Sequence, residues 1–163
     1  MQNKNITSSQ VSMTQLVLPN DTNRLGNLLG GQLMHWIDLA AAICAQRHTQ
    51  HICVTASVDE LVFLHPIKHG DVVTLLASVN RVFKTSMEIG VKVITENPLT
   101  GSKNHSNTAY LTFVALNDDA KPIEIIQVNP ENENEQRRFE NALKRREERL
   151  NRRNLYRKKN EAV

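Results

Sequence analysis

The arrangement of apolar and polar residues divides the chain into one helical stretch and several strand-like stretches. Residues 27–45 are almost wholly apolar, a pattern typical of a helix in the interior of a fold. After residue 51 the apolar residues recur with a period of two, which indicates half-buried β-strands. The expected strands, including one ahead of the helix, are 11–18, 52–59, 72–82, 87–96 and 108–116.

This order of elements predicts an α+β fold, in which a curved antiparallel sheet wraps around one long central helix. In the strand that follows the helix, alternation predicts two faces, one with Val54, Ala56 and Val58 and the other with Thr55, Ser57 and Asp59. We expect residues 1–10 to be a flexible N-terminus and residues 11–130 to be one folded domain. Residues 131–163 contain no Gly or Pro and predict a charged C-terminal helix or tail.

Charge is concentrated in the C-terminal segment. The whole chain has a net charge of +3, whereas the eleven Lys or Arg and seven Glu of residues 131–163 give +4 and leave −1 for the rest. The Arg-Arg pairs of this segment suit phosphate groups or nucleic acid, but the Glu residues between them favour a solvated face with salt bridges. We therefore expect no nucleic-acid partner.

Several classes of protein are excluded by what the sequence lacks. It has no apolar run near the roughly 18 residues that span a membrane, and its first fifteen residues lack a signal-peptide core. We expect a cytoplasmic protein without a membrane span. Cys44 and Cys53 have apolar neighbours and are expected to be buried, reduced thiols. The histidines do not pair with acids at zinc-binding spacings, so no metal is expected.

One carboxylate, Asp38, interrupts the apolar helix. An aspartate is seldom buried without a partner or a chemical task. Gly30 and Gly31 stand at the expected start of the helix, where free backbone N–H groups and the positive end of the helix dipole favour an approaching oxygen. The segment predicts an anion or oxyanion site beside an acid. The alternative is a flexible Gly-Gly turn, with Asp38 paired to a basic side chain at an interface.

Many motifs, in one order, resemble the hotdog-fold acyl-CoA thioesterases. They include Asn-Asp-Thr-Asn at 20–23, Gly-Gly-Gln-Leu-Met at 30–34, Val-Thr-Ala-Ser-Val-Asp at 54–59, Thr-Ser-Met-Glu at 85–88 and Thr-Phe-Val-Ala-Leu at 112–116. The resemblance covers about residues 12–150. It is closest to bacterial enzymes with a single hotdog domain that are related to brain acyl-CoA hydrolase. It implies hydrolysis of fatty acyl-CoA to free acid and CoA, without a cofactor other than the CoA moiety of the substrate.

The resemblance also implies a site at a dimer interface. In the family, an aspartate of the helix comes from one protomer and an asparagine near the Gly-Gly turn comes from the other; the matching residues are Asp38 and Asn27. Asp38 lies seven residues beyond Gly31, about 10 Å along the helix axis. We assign Asp38 as the base that activates water, or alternatively as the nucleophile. The Gly31 N–H is assigned as oxyanion donor, and Asn27 is assigned to position the water or the carbonyl.

Substrate binding is assigned to a second group of residues. Thr85 and Ser86 resemble the loop that holds CoA in the family. The neighbouring basic residues are assigned to the phosphates, and the alternative is that they are solvated residues of a surface turn. The complete set is Gly30, Phe63, Arg81, Lys84, Thr85 and Ser86. Several relatives have His directly before the Gly-Gly pair, where this chain has Leu29, so any role of that His is absent here.

Two other functions stay open for this fold. A hydratase or dehydratase would need a catalytic His in a His-Phe-Pro or Asp-x4-His context, which the sequence lacks. A non-catalytic sensor would bind acyl-CoA without releasing a thiol. A single hotdog leaves one sheet edge open and half of a site, so we expect a dimer as the minimum unit. The resemblance extends this expectation to a hexamer, a trimer of dimers.

Overall fold

The computed structural model describes residues 3–59, 61–63 and 65–160, with side chains described as far as residue 157. The two α-helices in these ranges are α1 (Gly30–Thr49) and α2 (Glu133–Asn160). The strands are β1 (Lys4–Asn5), β2 (Val11–Leu16), β3 (Ile52–Val58), β4 (Val72–Val82), β5 (Ser86–Asn97), β6 (Ser102–Leu116) and β7 (Val128–Asn129). Short 3-10 turns occupy Ile6–Ser9 and Pro19–Asp21.

Five strands form an antiparallel sheet in the order β2-β4-β5-β6-β3. Helix α1 contacts all five of them, so the sheet curves around the helix. The predicted α+β hotdog fold is confirmed. No helix in the described ranges is both long enough and apolar enough to cross a membrane.

The core lies between α1 and the inner face of the sheet. The helix contributes small side chains as well as large ones, which lets the strands approach its backbone closely. Its buried apolar residues are Leu33, Trp36, Ile37, Ala40, Ala41, Cys44 and Ala45. Both cysteines are free and buried, as expected. Burial raises the pKa of the Cys44 thiol to about 12.

The N-terminal segment packs against the domain. Strand β1 pairs in parallel with β7, and Ile6 is buried in the core. Lys4 Nζ donates hydrogen bonds of 2.9 Å to the carbonyls of Arg47 and His48, where a cation suits the end of α1. The expectation of a flexible N-terminus over residues 1–10 therefore does not hold for residues 4–9. Lys4 and Ile6 both contact the folded domain. Residues 1–2 lie outside the described residues.

Strand β3 departs from simple alternation. It is an edge strand, so most of its side chains are exposed, and Cys53 alone is buried in it. A β-bulge interrupts its pairing with β6 between Thr55 and Ser57. Thr55 lies opposite the buried Phe113, whereas Ser57 lies opposite Thr112. Residues that lie opposite each other share a face, and Phe113 and Thr112 are consecutive. The prediction that Thr55 and Ser57 share a face is therefore wrong, because of the bulge.

Helix α2 packs on the outer face of the sheet, where it covers a buried carboxylate. Glu88 of β5 is 0% exposed and accepts hydrogen bonds from Asn80 Nδ2 (3.0 Å) and Arg145 (2.6–3.2 Å). Arg149 Nη1 lies 3.4 Å from the same carboxylate. The predicted C-terminal helix is present. The prediction of a solvated face is wrong for Arg145 and Arg149, because a carboxylate buried on the sheet requires cations beside it.

Gly90 of β5 lies directly beneath this cluster. A Cβ atom at Gly90 would lie 2.7 Å from Asn80 Nδ2 and 3.0 Å from Asn80 Oδ1. Asn80 is buried and bonded to Glu88, so it has little freedom to move. We expect Gly90→Ala to lower the free energy of unfolding by about 1–3 kcal/mol, measured by denaturant titration.

Gly31→Ala is the matched control for this measurement. Apart from its chain neighbours and its own helix backbone, no atom of the described residues lies within 4 Å of the position that its Cβ would occupy, and alanine favours a helix more than glycine does. We expect its stability to be unchanged or raised. An unchanged denaturation midpoint for Gly90→Ala would contradict the close packing of Asn80 on Gly90.

Candidate active site

Asp38 lies where α1 faces the edge strand β3. Its carboxylate is partly exposed, and its Oδ1 accepts a hydrogen bond of 2.7 Å from Thr55 Oγ1. The bulge after Thr55 marks the point where β3 changes the direction of its side chains. Within the described part of the chain, no basic side chain forms an ion pair with Asp38. One carboxylate oxygen is thus oriented by a hydroxyl group, and the other is available to accept a proton.

Apolar side chains are exposed on both sides of Asp38. On α1, Leu39 and Ile43 are 41% and 40% exposed in the single chain. On β3, Val58 is exposed on the same face as Thr55, whereas the exposed Ile52 and Val54 lie on the opposite face of the strand. An edge strand with unpaired backbone groups and apolar side chains is typical of a protein–protein interface. Helix α1 therefore buries one face in its own domain and leaves another face for a partner.

The start of α1 provides free backbone donors. The N–H groups of Gln32 and Leu33 both donate to the carbonyl of Leu29, at 3.0 and 3.1 Å. The N–H groups of Gly30 and Gly31 have no acceptor in the described ranges. Gly31 is exposed and has open space where a side chain would stand. These two N–H groups lie at the positive end of the helix dipole and suit an oxyanion.

Phe63 lies against this helix start. The Cζ atom of its ring is 3.4 Å from the position that a Cβ of Gly30 would occupy, and the ring is half exposed. The structure thus brings together Gly30 and Phe63, two of the residues assigned to substrate binding. Along the unbroken helix, Gly31 stands about 10 Å from Asp38. One chain therefore does not place the oxyanion donors and the acid at one reacting centre.

The turn before α1 contains two asparagines with different roles. Asn23 Oδ1 accepts hydrogen bonds from the N–H groups of Leu25 (2.9 Å) and Asn27 (3.2 Å). Asn27 is partly buried and forms a β-bridge with Lys68. Asn23 is exposed, and none of the described residues accepts a hydrogen bond from its Nδ2 group. Sequence reasoning missed Asn23, although an asparagine followed by Gly-Asn three residues later is typical of such a side-chain-stabilised turn.

The turn between β4 and β5 contains the residues assigned to CoA. Phe83 N donates to Ser86 O at 2.8 Å, and Lys84 is exposed. Ser86 lies opposite Val114, which in turn lies opposite Val54 of β3. Two strand spacings place this turn about 10 Å from the strand that carries Thr55.

Two arginines near this turn have different surroundings from those expected. Arg81 packs 4.0 Å from the centre of the Phe139 ring and donates to the Phe139 carbonyl at 3.2 Å. It therefore holds α2 rather than standing free for a phosphate. Arg146, a member of one of the Arg-Arg pairs for which the sequence favours a solvated face, lies 4.1 Å over the Phe83 ring and donates to Ser86 Oγ at 3.3 Å. Burial, with the nearby charge of Arg149, lowers the pKa of the Arg146 guanidinium.

The assigned residues do not line the cavity of about 490 Å³ found elsewhere on the chain. That cavity is open and lies at the far end of β5 and β6, lined by His65, Lys68, Asp71, Asn97 and His105 among others. In the described ranges, no group of three or more His, Cys, Asp or Glu side chains is arranged to hold a metal ion.

Comparisons with known proteins agree with this geometry. The family model of the thioesterase superfamily matches residues 25–102. The uncharacterized acyl-CoA thioester hydrolase YkhA of Bacillus subtilis is 44% identical over 144 residues, which is 88% of this chain and 84% of that protein. A solved apo-hexameric acyl-CoA thioesterase is 38% identical, with a TM-score of 0.90 over 93% of this chain and 97% of that one.

An acyl-CoA hydrolase from Staphylococcus aureus, solved with butyryl-CoA, CoA and CoA disulfide, is also similar. It is 36% identical, with a TM-score of 0.90 over 97% of this chain and 96% of that one. Alanine variants of an aspartate, a threonine and an asparagine of that hydrolase have been solved as well. Sequence and fold therefore agree over nearly the whole chain, and this protein belongs to the thioesterase superfamily, among its hotdog-fold acyl-CoA thioester hydrolases.

Proposed function

We propose that this protein hydrolyses the thioester of fatty acyl-CoA to the free acid and CoA at a site shared by two copies of the chain. The observation that carries the proposal is the Asp38 carboxylate, held by Thr55 and free of any described cation, beside an exposed apolar face. A thioester carbonyl is reactive, and the CoA thiolate is a stable leaving group near neutral pH. A base and oxyanion donors are therefore sufficient for the reaction.

In the proposed step, Asp38 acts on a water molecule. The water oxygen attacks the thioester carbonyl carbon while its proton passes to the Asp38 oxygen that Thr55 does not occupy. The Gly30 and Gly31 N–H groups stabilise the charge that develops on the carbonyl oxygen. The C–S bond then breaks, and CoA leaves as a thiolate. Direct attack by Asp38 is the alternative, and both routes need the carboxylate ionised.

The second copy of the chain completes the site in this proposal. Strand β3 has a free edge among the described residues, and its exposed Val58 lies on the strand face turned towards α1, which carries the exposed Leu39 and Ile43. A twofold pairing of β3 with its copy covers this surface and forms one continuous sheet. It also brings Asp38 of one copy towards the helix start of the other. We propose a dimer as the minimum active unit. The hexameric thioesterase with the same fold supports a trimer of dimers as the full assembly.

We propose Asn23, rather than Asn27, as the asparagine that positions the water or the carbonyl. In the Staphylococcus aureus hydrolase, the substituted aspartate precedes the substituted threonine by seventeen residues and follows the substituted asparagine by fifteen. Asp38 precedes Thr55 by seventeen residues and follows Asn23 by fifteen. Asn23 also has the exposed amide group, whereas the backbone of Asn27 is held in a β-bridge.

CoA binding is proposed at the β4–β5 turn. Lys84 is exposed there, and Thr85 and Ser86 carry hydroxyl groups. Arg146 adds a second cation next to Ser86, whereas Arg81 has a structural role on α2. Phe63, at the start of α1, is proposed to contact the acyl chain or the pantetheine. Hydrolysis without a metal or added cofactor, and a cytoplasmic location, stay predictions of the sequence.

A subunit-mixing experiment tests the shared site. Asp38→Asn and Asn23→Ala variants are each expected to be inactive, because each removes one half of every site. Refolded together in equal amounts, they form mixed dimers with one native site, so about one quarter of the native thiol release should return. Asn27→Ala is the matched control and is expected to keep activity by itself. A mixture no more active than the separate variants would contradict a site shared between copies.

Gly31→Ala tests the oxyanion donors. The added methyl group meets no other part of the described chain within 4 Å, so folding is expected to be unaffected. It occupies the space through which a carbonyl oxygen approaches the N–H groups. We expect kcat/KM for acyl-CoA to fall at least about tenfold, measured by thiol release. Native kcat/KM in this variant would remove the helix start from the reaction.

Thr55→Val and Thr55→Ser together test the orientation of Asp38. Valine has nearly the same shape as threonine and lacks the hydroxyl donor to Asp38 Oδ1. Serine keeps the donor. We expect the valine variant to lose about ten- to a hundredfold in kcat, and the serine variant to recover most of it. Equal kcat values for valine and serine would show that the hydrogen bond does not serve the reaction.

A further inference from the structure

Asp59, the first residue after β3, is fixed by the C-terminal helix. Arg149 Nη1 donates to both of its carboxylate oxygens, at 3.1 and 2.8 Å. The Asp59 N–H donates to the carbonyl of Tyr110 on β6, at 2.9 Å. The two charged side chains are 12% and 16% exposed, so solvent screens their interaction little.

Asp59 stands midway between two residues of the site. Thr55, four residues earlier, donates to Asp38, and Phe63, four residues later, covers Gly30 at the helix start. Between Thr55 and Asp59 the edge strand has a bulge, and no strand among the described residues pairs with its outer edge. Asp59 therefore follows Thr55 and precedes Phe63 along the chain, at a position held by Arg149.

Arg149 also contacts the centre of the sheet through the same nitrogen. Its Nη1 lies 3.4 Å from Glu88, which belongs to the central strand β5 and is fully buried. Arg145 donates to the same carboxylate with two of its nitrogens and packs 3.6 Å over the Tyr110 ring. Arg149 thus connects the most rigid part of the sheet with the end of its exposed edge strand.

The Arg149–Asp59 ion pair is expected to contribute little to the free energy of unfolding. Burial raises the pKa of the Asp59 carboxyl above its usual value, and Glu88 adds to the rise, although Arg149 and Arg145 oppose it. The folded protein therefore holds the charged form of Asp59 at a cost. Buried ion pairs of this kind contribute little net stability, while their geometry remains well defined.

We propose that the Arg149–Asp59 ion pair is a positioning device, through which helix α2 fixes Thr55 and Phe63 and so sets the rate of hydrolysis. Asp59 and Arg149 are positioning residues, because neither touches the reacting atoms. The effect on rate rests on the proposed function, whereas the effect on the position of residues 53–63 does not.

Hydrogen exchange tests the positioning directly. Asp59→Ala removes both hydrogen bonds to Arg149. Arg149→Lys keeps the charge but loses the planar donor geometry, and it is the second variant to measure if Asp59→Ala folds poorly. We expect faster exchange in peptides covering residues 53–63, with exchange in β4 and β5 unchanged. Glu96→Gln is the matched control, because it removes a carboxylate from an exposed ion pair with Lys103. Native exchange at residues 53–63 in both variants would overturn the inference.

A double-mutant cycle tests the effect on rate. If Asp59 acts through Thr55, Asp59→Ala should lower kcat about tenfold in the native chain and by less than about twofold in Thr55→Val. Asp59→Asn keeps one acceptor for Arg149 and should recover part of the loss. An equal loss of kcat in both backgrounds would overturn the action through Thr55. If the native protein hydrolyses no acyl-CoA, the proposed function fails, and hydrogen exchange alone decides this inference.

Discussion

Packing of α1 inside the curved sheet is the constraint on which the other features of the molecule depend. Small buried residues such as Ala40, Ala41 and Ala45 let five strands approach one helix. Because the helix is enclosed on one side only, its other side remains open next to β3, and Asp38 lies at that boundary. The helix start, by contrast, presents free N–H groups at the far end of the same element. One helix thus carries both the proposed base and the proposed oxyanion donors, about 10 Å apart along its axis.

The two faces of the sheet differ in polarity. The inner face is apolar and packs on α1, whereas the outer face buries Glu88 beneath α2. Arg145 and Arg149 form ion pairs with that carboxylate. Arg149 also forms an ion pair with Asp59, directly after the edge strand. Arginine suits the place of Arg145 because two nitrogens of its planar guanidinium donate to both oxygens of Glu88. The C-terminal helix is therefore part of the folded unit, connected through its charges to the strand that carries Thr55.

The regular elements could be predicted from the sequence, because the hydrophobic period of a helix or strand is set by the residues within that element and not by contacts with distant parts of the chain. The period identified α1, β4 and β5 to within a few residues, and Asp38 was recognised as a polar residue in an apolar helix. Thr55 could not be assigned to Asp38, because the apolar pattern favours Val54 and Val58 as one inner face, whereas the register against β6 places Thr55 opposite the buried Phe113. The partners of the arginines on α2 depend on contacts between residues 57 to 90 positions apart, which no local pattern reveals. Asn23 and Asn27 lie in one turn, and no local pattern distinguishes them, because the difference between them depends on the hydrogen bonds of that turn.

The most direct measurement is thiol release from short- to long-chain acyl-CoAs by the native protein and by Asp38→Asn. The account predicts that the native protein releases thiol, and that the variant is at least about a hundredfold slower with an unchanged free energy of unfolding. Asparagine keeps the size of the side chain and an acceptor for Thr55, so such a loss would belong to the missing base. Equal rates for the two proteins, or acyl-CoA binding by the native protein without thiol release, would contradict the account.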